Sequence, residues 1–386
     1  MTSSQKLKDN YQICSQCVMD TTDPAITFDS GGVCCHCRGF EEKTKKSWFP
    51  NEEGEKRLAD ILNQIRAVGR NQEYDCIIGL SGGVDSCYLA LKVKEWDLRP
   101  LVVHVDAGWN SELAVANIEK VVKYCGYHLH THVVVWGEMR DLHLAFLRAA
   151  VSNQDVPQDH VFSASMYHFA TQNRIKYILT GGNIATECIF PKAWHGSAMD
   201  AINLKAIHRK YGNRALKTFT TISFFQYYIG YPFFKGMRTV RPLNYIPYNK
   251  ASAINEMEIL IGWRSYGRKH GESIFTKLFQ NYYLPAKFGY DKRRPHFSSM
   301  IVTGQMTREE ALERLKEPLY DPHELENDID YFCKKLKITW QQFEEFINAP
   351  THHYTDFPNW DDRYLILKKV QSFAAHLLGR EISVYS

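Results

Sequence analysis

The stretch YDCIIGLSGGVDSCYLALKVKEW, residues 74–96, joins an apolar run to a second apolar segment through a glycine turn. The run CIIGL has the length and the β-branched content of a buried strand, and the segment after the turn has the length of a helix. A strand followed by a short turn and a helix is the opening of an α/β unit. This stretch therefore predicts an α/β fold.

Four further apolar runs continue the pattern on either side of helical segments. PLVVHVD (100–106), LHTHVVVW (129–136), KYILTG (176–181) and MRTVRPL (237–243) are predicted strands. Helices are expected at 52–68, near 111–124, between 138 and 174, at 250–260 and at 307–315. Alternation of this kind predicts a parallel five-stranded, doubly wound sheet with a mainly helical C-terminal region. The aromatic stretch 219–234 is interpreted as a buried aromatic helix.

The turn of the first unit carries polar groups that suit phosphate. It consists of Ser81, Gly82, Gly83, Val84, Asp85 and Ser86. Two adjacent glycines can adopt backbone angles closed to other residues, so that successive N–H groups converge on an anion. The following helix N-terminus adds partial positive charge, and the serines add hydroxyl donors. Because a carboxylate beside phosphate requires a divalent cation between them, Asp85 predicts Mg²⁺.

Two other predicted strands end in residues suited to a ligand. They are His104 and Asp106 after the second strand, and Gly181, Gly182 and Asn183 after the fourth. Open parallel sheets bind ligands at the carboxyl ends of their strands. The two glycines would allow close approach of adenosine, while Asp106 could bind ribose, metal or a substrate nitrogen. Glu187, one helical turn beyond Asn183, is a candidate catalytic carboxylate or a solvated surface residue.

Five of the ten cysteines crowd into residues 14–37. Cys14 and Cys17 form one C-x2-C pair, and sixteen residues later Cys34 and Cys37 form a second. Two such pairs suit tetrahedral thiolate coordination of a structural Zn²⁺. The segment is too small to fold on apolar burial alone, which favours metal over packing. Cys35 and His36, inside the second pair, remain alternative ligands.

Basic residues downstream offer contacts for an anionic substrate. Arg241 follows the fifth predicted strand, and Arg294 and His296 lie in the basic stretch KRRPH, residues 292–296. Arginine binds diphosphate and carboxylate groups in bidentate geometry. These three residues are predicted to bind substrate, although charge runs such as 292–294 are often only solvated surface.

Composition restricts the class of protein. The 386 residues are 44% hydrophobic and 23% charged, which is typical of globular proteins. A net charge of +4 with a pI near 8.4 is too mildly basic to require nucleic acid as partner. No apolar run approaches the roughly 20 residues of a membrane span, and the N-terminus shows no apolar leader. A cytoplasmic location without membrane attachment is therefore expected.

The SGGVDS turn lacks the lysine and spacing of a Walker A loop and resembles the PP-loop ATP pyrophosphatase superfamily, with an adenine nucleotide alpha hydrolase-like fold. Together with CSQCVMD (14–20), VDAGWNSE (105–112), LTGGN (179–183) and RRPHFSSMIVTGQMTREEAL (293–312), the chain resembles the N-acetyl sugar amidotransferase family of bacterial surface polysaccharide pathways, such as lipopolysaccharide O-antigen biosynthesis. The resemblance implies an ATP-dependent, AMP-forming carbon–nitrogen ligase. An acetamido group on a nucleotide-linked sugar, expected to be a UDP-2,3-diacetamido uronic acid, would become an acetamidino group.

The same resemblance implies partners and a domain plan. No glutaminase signature is recognisable in the sequence, so ammonia is expected from a separate glutaminase with a barrel-type subunit similar to imidazole glycerol phosphate synthase. The expected domains are a zinc-binding ribbon at 1–48, an ATP-binding catalytic domain at 49–250 and a helical region at 251–386 that completes the substrate site.

Two other functions remain open from sequence. A tRNA thiolase or lysidine-type tRNA-modifying enzyme would use the same adenylation chemistry, although Cys188 has no C-x-x-C partner and the charge is low for tRNA. A non-catalytic ATP-binding zinc scaffold would retain the turn without turnover. The products formed from ATP, and the acceptor on which they depend, distinguish the three.

Overall fold

A parallel sheet of five strands lies at the centre of the protein. The computed structural model describes residues 11–267 and 271–378. The strands are β1 (Cys76–Gly79), β2 (Pro100–Asp106), β3 (Leu129–Val133), β4 (Tyr177–Leu179) and β5 (Arg238–Val240). They are all parallel and lie in the order β3-β2-β1-β4-β5. The predicted five-stranded parallel α/β sheet is confirmed.

Helices cover both faces of this sheet. Up to β5 they are α1 (Cys35–Glu42), α2 (Glu52–Gly69), α3 (Val84–Glu95), α4 (Glu112–Cys125), α5 (Trp136–Ala149), α6 (Val156–Gln172), α7 (Ile184–Glu187) and α8 (Ala201–Tyr211). Alternate residues of β1 point to opposite sides, so Ile78 packs in one core cluster with α2, α3 and α4. Ile77 packs in the other cluster with α5, α6 and α8. The sheet is therefore doubly wound, as predicted.

The chain after β5 is almost entirely helical. It forms α9 (Lys250–Ile261), α10 (Ile274–Leu278), α11 (Leu284–Phe288), α12 (Arg293–Val302), α13 (Arg308–Arg314), α14 (Pro322–Leu336), α15 (Trp340–Asn348) and α16 (Asp361–Leu378). Short 3-10 helices cover Thr44–Ser47, Lys192–Trp194, Pro242–Tyr245 and Tyr354–Asp356, and π-helices cover Gln226–Phe234 and Phe279–Tyr283. A third core cluster unites α10, α14 and α15 with Trp109 and with Leu147 of α5. The helical region is thereby packed against the sheet domain.

The aromatic stretch differs from its prediction. It forms the π-helix Gln226–Phe234, but Phe225, Phe233 and Phe234 are 56%, 61% and 74% exposed. Only Tyr228 of this π-helix is buried, against Trp360 and other rings. The interpretation as a buried aromatic helix is wrong, because aromatic content does not distinguish a core helix from a surface one.

Some predictions are not tested by this architecture. The domain boundaries at 48/49 and 250/251 stay predictions. The first ten residues, with the predicted absence of an apolar leader, and the last eight residues of the C-terminal region lie outside the described part of the chain. Across 11–267 and 271–378, no helix is both long and apolar enough to cross a lipid bilayer.

Candidate functional site

The two glycine-containing loops meet where the strand order reverses. β1 pairs with β2 on one side and with β4 on the other, so the connections after β1 and β4 leave the sheet side by side. This switch point is where open α/β sheets bind ligands. The loops are in direct contact, because a Cβ atom on Gly181 would lie 2.7 Å from the backbone of Asp85. The structure thus brings together the turns that the sequence singled out.

The loop after β1 has the backbone of an anion cradle. Gly82 has a φ of +87°, and a side chain there would meet the backbone of Ala114 at 2.8 Å. Gly83 is the N-cap of α3 and has no side chain with which to cap the first helical N–H groups. The hydroxyls of Ser81 and Ser86 lie 3.0 Å apart beside it. Open N–H groups, hydroxyls and the helix dipole together suit phosphate oxygens.

Asp85 is held firmly in the first turn of α3. Its Oδ1 accepts hydrogen bonds from Asn183 Nδ2 at 3.0 Å and from the hydroxyl of Tyr248 at 2.5 Å. Burial, followed by the charge of Asp85, raises the pKa of Tyr248 well above its usual range. The phenol therefore stays protonated and donates to the carboxylate. A carboxylate fixed next to an anion cradle is placed to hold Mg²⁺ against phosphate.

The loop after β4 lies next to α7, and α7 in turn contacts α12. Asn183 caps α7 by accepting from Thr186 N at 2.9 Å, and α7 ends at Glu187. His296 Nδ1 donates to the carbonyl of Thr186 at 3.0 Å, which joins α12 to the same short helix. The guanidinium of Arg241 lies near Gly182, because a Cβ there would be 4.0 Å from its Nε. Glu187, His296 and Arg241 thus lie beside the loop, and their roles stay predictions.

At the end of β2, the predicted residues form a support for the phosphate loop. His104 Nδ1 donates to the carbonyl of Leu80 at 2.8 Å, and its Nε2 lies 2.9 Å from Asn110 Nδ2. Asp106 accepts from Gly108 N at 2.7 Å and from Asn110 Nδ2 at 3.1 Å. Because both ring nitrogens are engaged within the protein, His104 positions the end of β1. The predicted ATP contact of His104 stays a prediction.

Charged side chains lie near one another between Glu187 and the start of α6. Asp159, which is exposed, interacts electrostatically with Asp155, Lys292 and Glu187. Asp155 itself is buried and accepts from Thr276 Oγ1 at 3.0 Å. This charged cluster therefore includes residues of the sheet domain and of the helical region.

Replacing Gly181 with alanine tests the contact between the two loops. The added Cβ would meet the backbone of Asp85, which cannot rotate away as a side chain can, so we expect Gly181→Ala to lower the free energy of unfolding by about 1–3 kcal/mol. Gly182→Ala is the matched control, because its nearest atom is the Thr180 hydroxyl at 3.8 Å. Denaturant unfolding measures both, and equal stability of the two variants would contradict the loop contact.

The N-terminal cysteines form a second candidate site. The sulfur atoms of Cys14, Cys17, Cys34 and Cys37 all lie within 4.8 Å of one another and are buried. Three pairs are 3.7–3.9 Å apart, close to the ~3.8 Å expected between the corners of a tetrahedron with Zn–S bonds of about 2.3 Å. Backbone N–H groups point at Cys14 Sγ, which stabilises thiolate. These four thiols fit a structural zinc ion.

The alternative ligands lie outside this cluster. His36 Nε2 is bonded to Asp23 Oδ2 at 2.7 Å, and the cluster within 4.8 Å comprises the four other cysteines, without Cys35. Arg308 donates to the carbonyls of Cys14 and Cys17 at 2.9–3.2 Å. This contact holds residues 14–37, called the cysteine module below, against the helical region.

Arg294 contacts residues of the cysteine module. Its Nε lies 3.0 Å from Asp20 Oδ2, and its Nη1 donates to the carbonyl of Val18 at 2.9 Å. Asp20 is completely buried, so this ion pair holds the cysteine module against α12. The predicted substrate contact of Arg294 stays a prediction beside this structural one. A basic stretch in sequence does not show which of its side chains faces inward.

Comparison with known proteins adds information on the helical region. Residues 272–371 match the family model described as "LPS biosynthesis protein WbpG-like, C-terminal domain". This region is similar to WbpG-like proteins. The match confirms the resemblance to bacterial surface polysaccharide biosynthesis. This region contributes His296, which donates to Thr186 of α7, and Thr276, which donates to Asp155.

Other comparisons are more distant. A search of curated proteins gave no match. Among solved structures, NMN synthetase from Francisella tularensis matches with a TM-score of 0.36 and 14% identity, covering 69% of this chain and 91% of its own. NH3-dependent NAD synthetase from Campylobacter jejuni matches with a TM-score of 0.30 and 14% identity, covering 78% and 98%. Similarity at this level carries no argument about activity.

Several residues of the site could not be identified from the sequence. Tyr248 binds Asp85 across 163 positions, and the Tyr266 hydroxyl donates to the Gly82 carbonyl at 2.9 Å across 184 positions. Asp155 is the N-cap residue of α6 and Asp159 lies in its first turn, four residues later, within a segment that shows no motif. The only sequence signal was this i, i+4 spacing, which is common on solvated helices.

Proposed function

We propose that this chain is an ATP-dependent, AMP-forming amidotransferase acting on the acetamido group of a nucleotide-linked N-acetyl sugar, with UDP-2,3-diacetamido uronic acid as the expected substrate. The observation that carries the proposal is the fixation of Asp85 beside the open N-terminus of α3, where the loops after β1 and β4 touch. The match of residues 272–371 to an LPS biosynthesis family supports a sugar as acceptor.

The reaction follows from the poor reactivity of an amide. Its carbonyl carbon is a weak electrophile, and its oxygen is a poor leaving group. Attack of that oxygen on the α-phosphorus of ATP forms an O–P bond and breaks the bond to the β-phosphate oxygen, so pyrophosphate leaves. Ammonia then forms the C–N bond, loses a proton, and the C–O bond breaks with AMP taking the electron pair. The product is an acetamidino sugar.

The chain's own residues have defined parts in this scheme. The N–H group of Val84 and the hydroxyls of Ser81 and Ser86 would hold the pyrophosphate oxygens, and the N–H of Gly83, which donates to Ser81 Oγ at 3.3 Å, orients one of those hydroxyls. Gly182 would leave room for adenosine, and Glu187, the last residue of α7, would act on the acceptor or on the metal. Charge neutralisation at the phosphates is the chemistry that Mg²⁺ supplies when bound, and Asp85 is the residue that would hold it. Zinc at the four cysteines would be structural.

Arg241 and His296 would bind the anionic sugar nucleotide, because both lie beside the loop after β4. Ammonia would come from a separate glutaminase and a barrel-type subunit similar to imidazole glycerol phosphate synthase. The four-cysteine module and the phosphate loop are both compatible with a cytoplasmic enzyme in which thiols stay reduced. Nucleic acid and membrane are not part of the proposed reaction.

Product analysis tests the proposal. The protein is incubated with ATP, Mg²⁺, ammonium salt and candidate UDP-diacetamido sugars, and the products are separated and weighed by mass spectrometry. We expect AMP, pyrophosphate and a sugar carrying the small mass loss of an O-to-NH exchange, all dependent on the sugar. Formation of ADP, dependence on tRNA in place of sugar, or a lack of turnover with every acceptor would contradict it.

A further inference from the structure

The helix α16 carries an exposed apolar face. Leu365, Ile366, Val370 and Phe373 on this helix are 57%, 63%, 58% and 67% exposed. Ile366, Val370 and Phe373 have the i, i+4, i+7 spacing that places side chains on one face of a helix, and Leu365 lies at the edge of that face. Exposed apolar residues normally occur singly, whereas a contiguous apolar patch marks an interaction site. The face therefore indicates a binding partner.

The π-helix Gln226–Phe234 lies beside the start of α16 and adds to this apolar area. The ring of Tyr228 lies 5.5 Å from that of Trp360 and 5.4 Å from that of Tyr364, measured between centroids. The apolar face of α16 is called the α16 surface below together with three exposed rings of the aromatic stretch, Phe225, Phe233 and Phe234. A stable homodimer buries about 800 Å² on each copy, an area that seven large and more than half-exposed apolar side chains can supply.

Two charges of opposite sign lie on the same side of α16. Asp362 comes four residues before Ile366 and Lys369 three residues after it, so both flank the apolar face. Both side chains are exposed, and neither forms a salt bridge within residues 11–267 and 271–378. They are too far apart to pair with each other, because seven residues of helix span about 10 Å. A partner that covers this face has to neutralise one acidic and one basic group.

We propose that the α16 surface binds a second copy of this chain, with the two α16 helices antiparallel across a two-fold axis near Ile366. Ile366 then meets its own copy at the axis, and Asp362 of each chain lies beside Lys369 of the other. Both ion pairs form together, because contacts across a two-fold axis are reciprocal. Phe373 extends past the start of the second copy's α16, toward the π-helix that packs there. A lipid surface fits this face less well, because Asp362 would enter the apolar layer without a counter-charge.

Sedimentation equilibrium of the full chain tests the dimer. Ile366→Asp places two carboxylates against each other at the axis, so we expect the association constant to fall at least about 30-fold. Ile259→Asp is the matched control, because Ile259 is 75% exposed on α9, which packs on the opposite face of the sheet from the π-helix. Both changes are at exposed positions and should leave the circular dichroism unchanged. A monomeric wild-type protein, or equal association of the two variants, would overturn the proposal.

Exchange of the two charges tests the antiparallel pairing. Asp362→Lys and Lys369→Asp each place like charges side by side across the axis, so each should weaken self-association about 10-fold. Mixed in equal amounts, the two variants should form a heterodimer of wild-type strength, because every contact again pairs one lysine with one aspartate. Failure of the mixture to associate would overturn the pairing. Binding of a monomeric wild-type protein to vesicles of phosphatidylethanolamine and phosphatidylglycerol would assign the α16 surface to lipid and overturn the proposal.

Discussion

Asp85→Asn is expected to lower the rate of AMP formation by about 10³-fold, because the substitution removes the charge that would hold Mg²⁺ against the phosphates. The amide has the same shape as the carboxylate, and its oxygen can still accept from the Tyr248 hydroxyl at the position of Oδ1. The fold should therefore survive the change. Sugar-dependent exchange of labelled pyrophosphate into ATP measures the adenylation step alone.

The control for this variant is Asp60→Asn, which makes the same change on the exposed face of α2. We expect that control to keep the wild-type exchange rate, and both variants to keep the same far-ultraviolet circular dichroism. Raising the Mg²⁺ concentration should recover part of the activity of Asp85→Asn, since weaker coordination can be offset by mass action. Undiminished exchange in Asp85→Asn at ordinary Mg²⁺ would remove Asp85 from the mechanism.

Local sequence patterns were sufficient to predict the sheet and the two glycine loops. The run CIIGL and the turn after it predict β1 and α3, because strand length and a glycine turn are properties of adjacent residues. The contact of Gly181 with Asp85 follows from the topology, since β1 and β4 are neighbours in a sheet of this order. Thiolate pairs with C-x2-C spacing likewise predict their own clustering, which the four buried sulfur atoms show.

Contacts between distant segments could not be predicted in the same way. Tyr248, which follows the 3-10 helix Pro242–Tyr245, contacts Asp85 across 163 positions of sequence. Arg294 pairs with Asp20, 274 positions earlier in the chain, and no local pattern predicts that pairing.

The second large effect is expected at the cysteine module. Cys14→Ser replaces a thiolate ligand by a hydroxyl that does not ionise at neutral pH, so we expect loss of the bound zinc and a marked fall in melting temperature. Structural zinc contributes about 10–16 kcal/mol of apparent binding free energy, which is folding free energy where the core is small. Zinc content by atomic spectroscopy and thermal unfolding measure the two effects.

Loss of the cysteine module should also lower the activity of the candidate site, because α12 contacts both. Ser298 Oγ accepts from Val18 N at 3.2 Å on the module side, while Ser299 Oγ accepts from Ile189 N at 2.9 Å just beyond α7. Adenylation by Cys14→Ser should therefore fall together with zinc content. Cys35→Ser, the matched control, changes a cysteine outside the cluster and should keep zinc, melting temperature and exchange rate. Retention of zinc by Cys14→Ser, or its loss from Cys35→Ser, would refute the assigned ligand set.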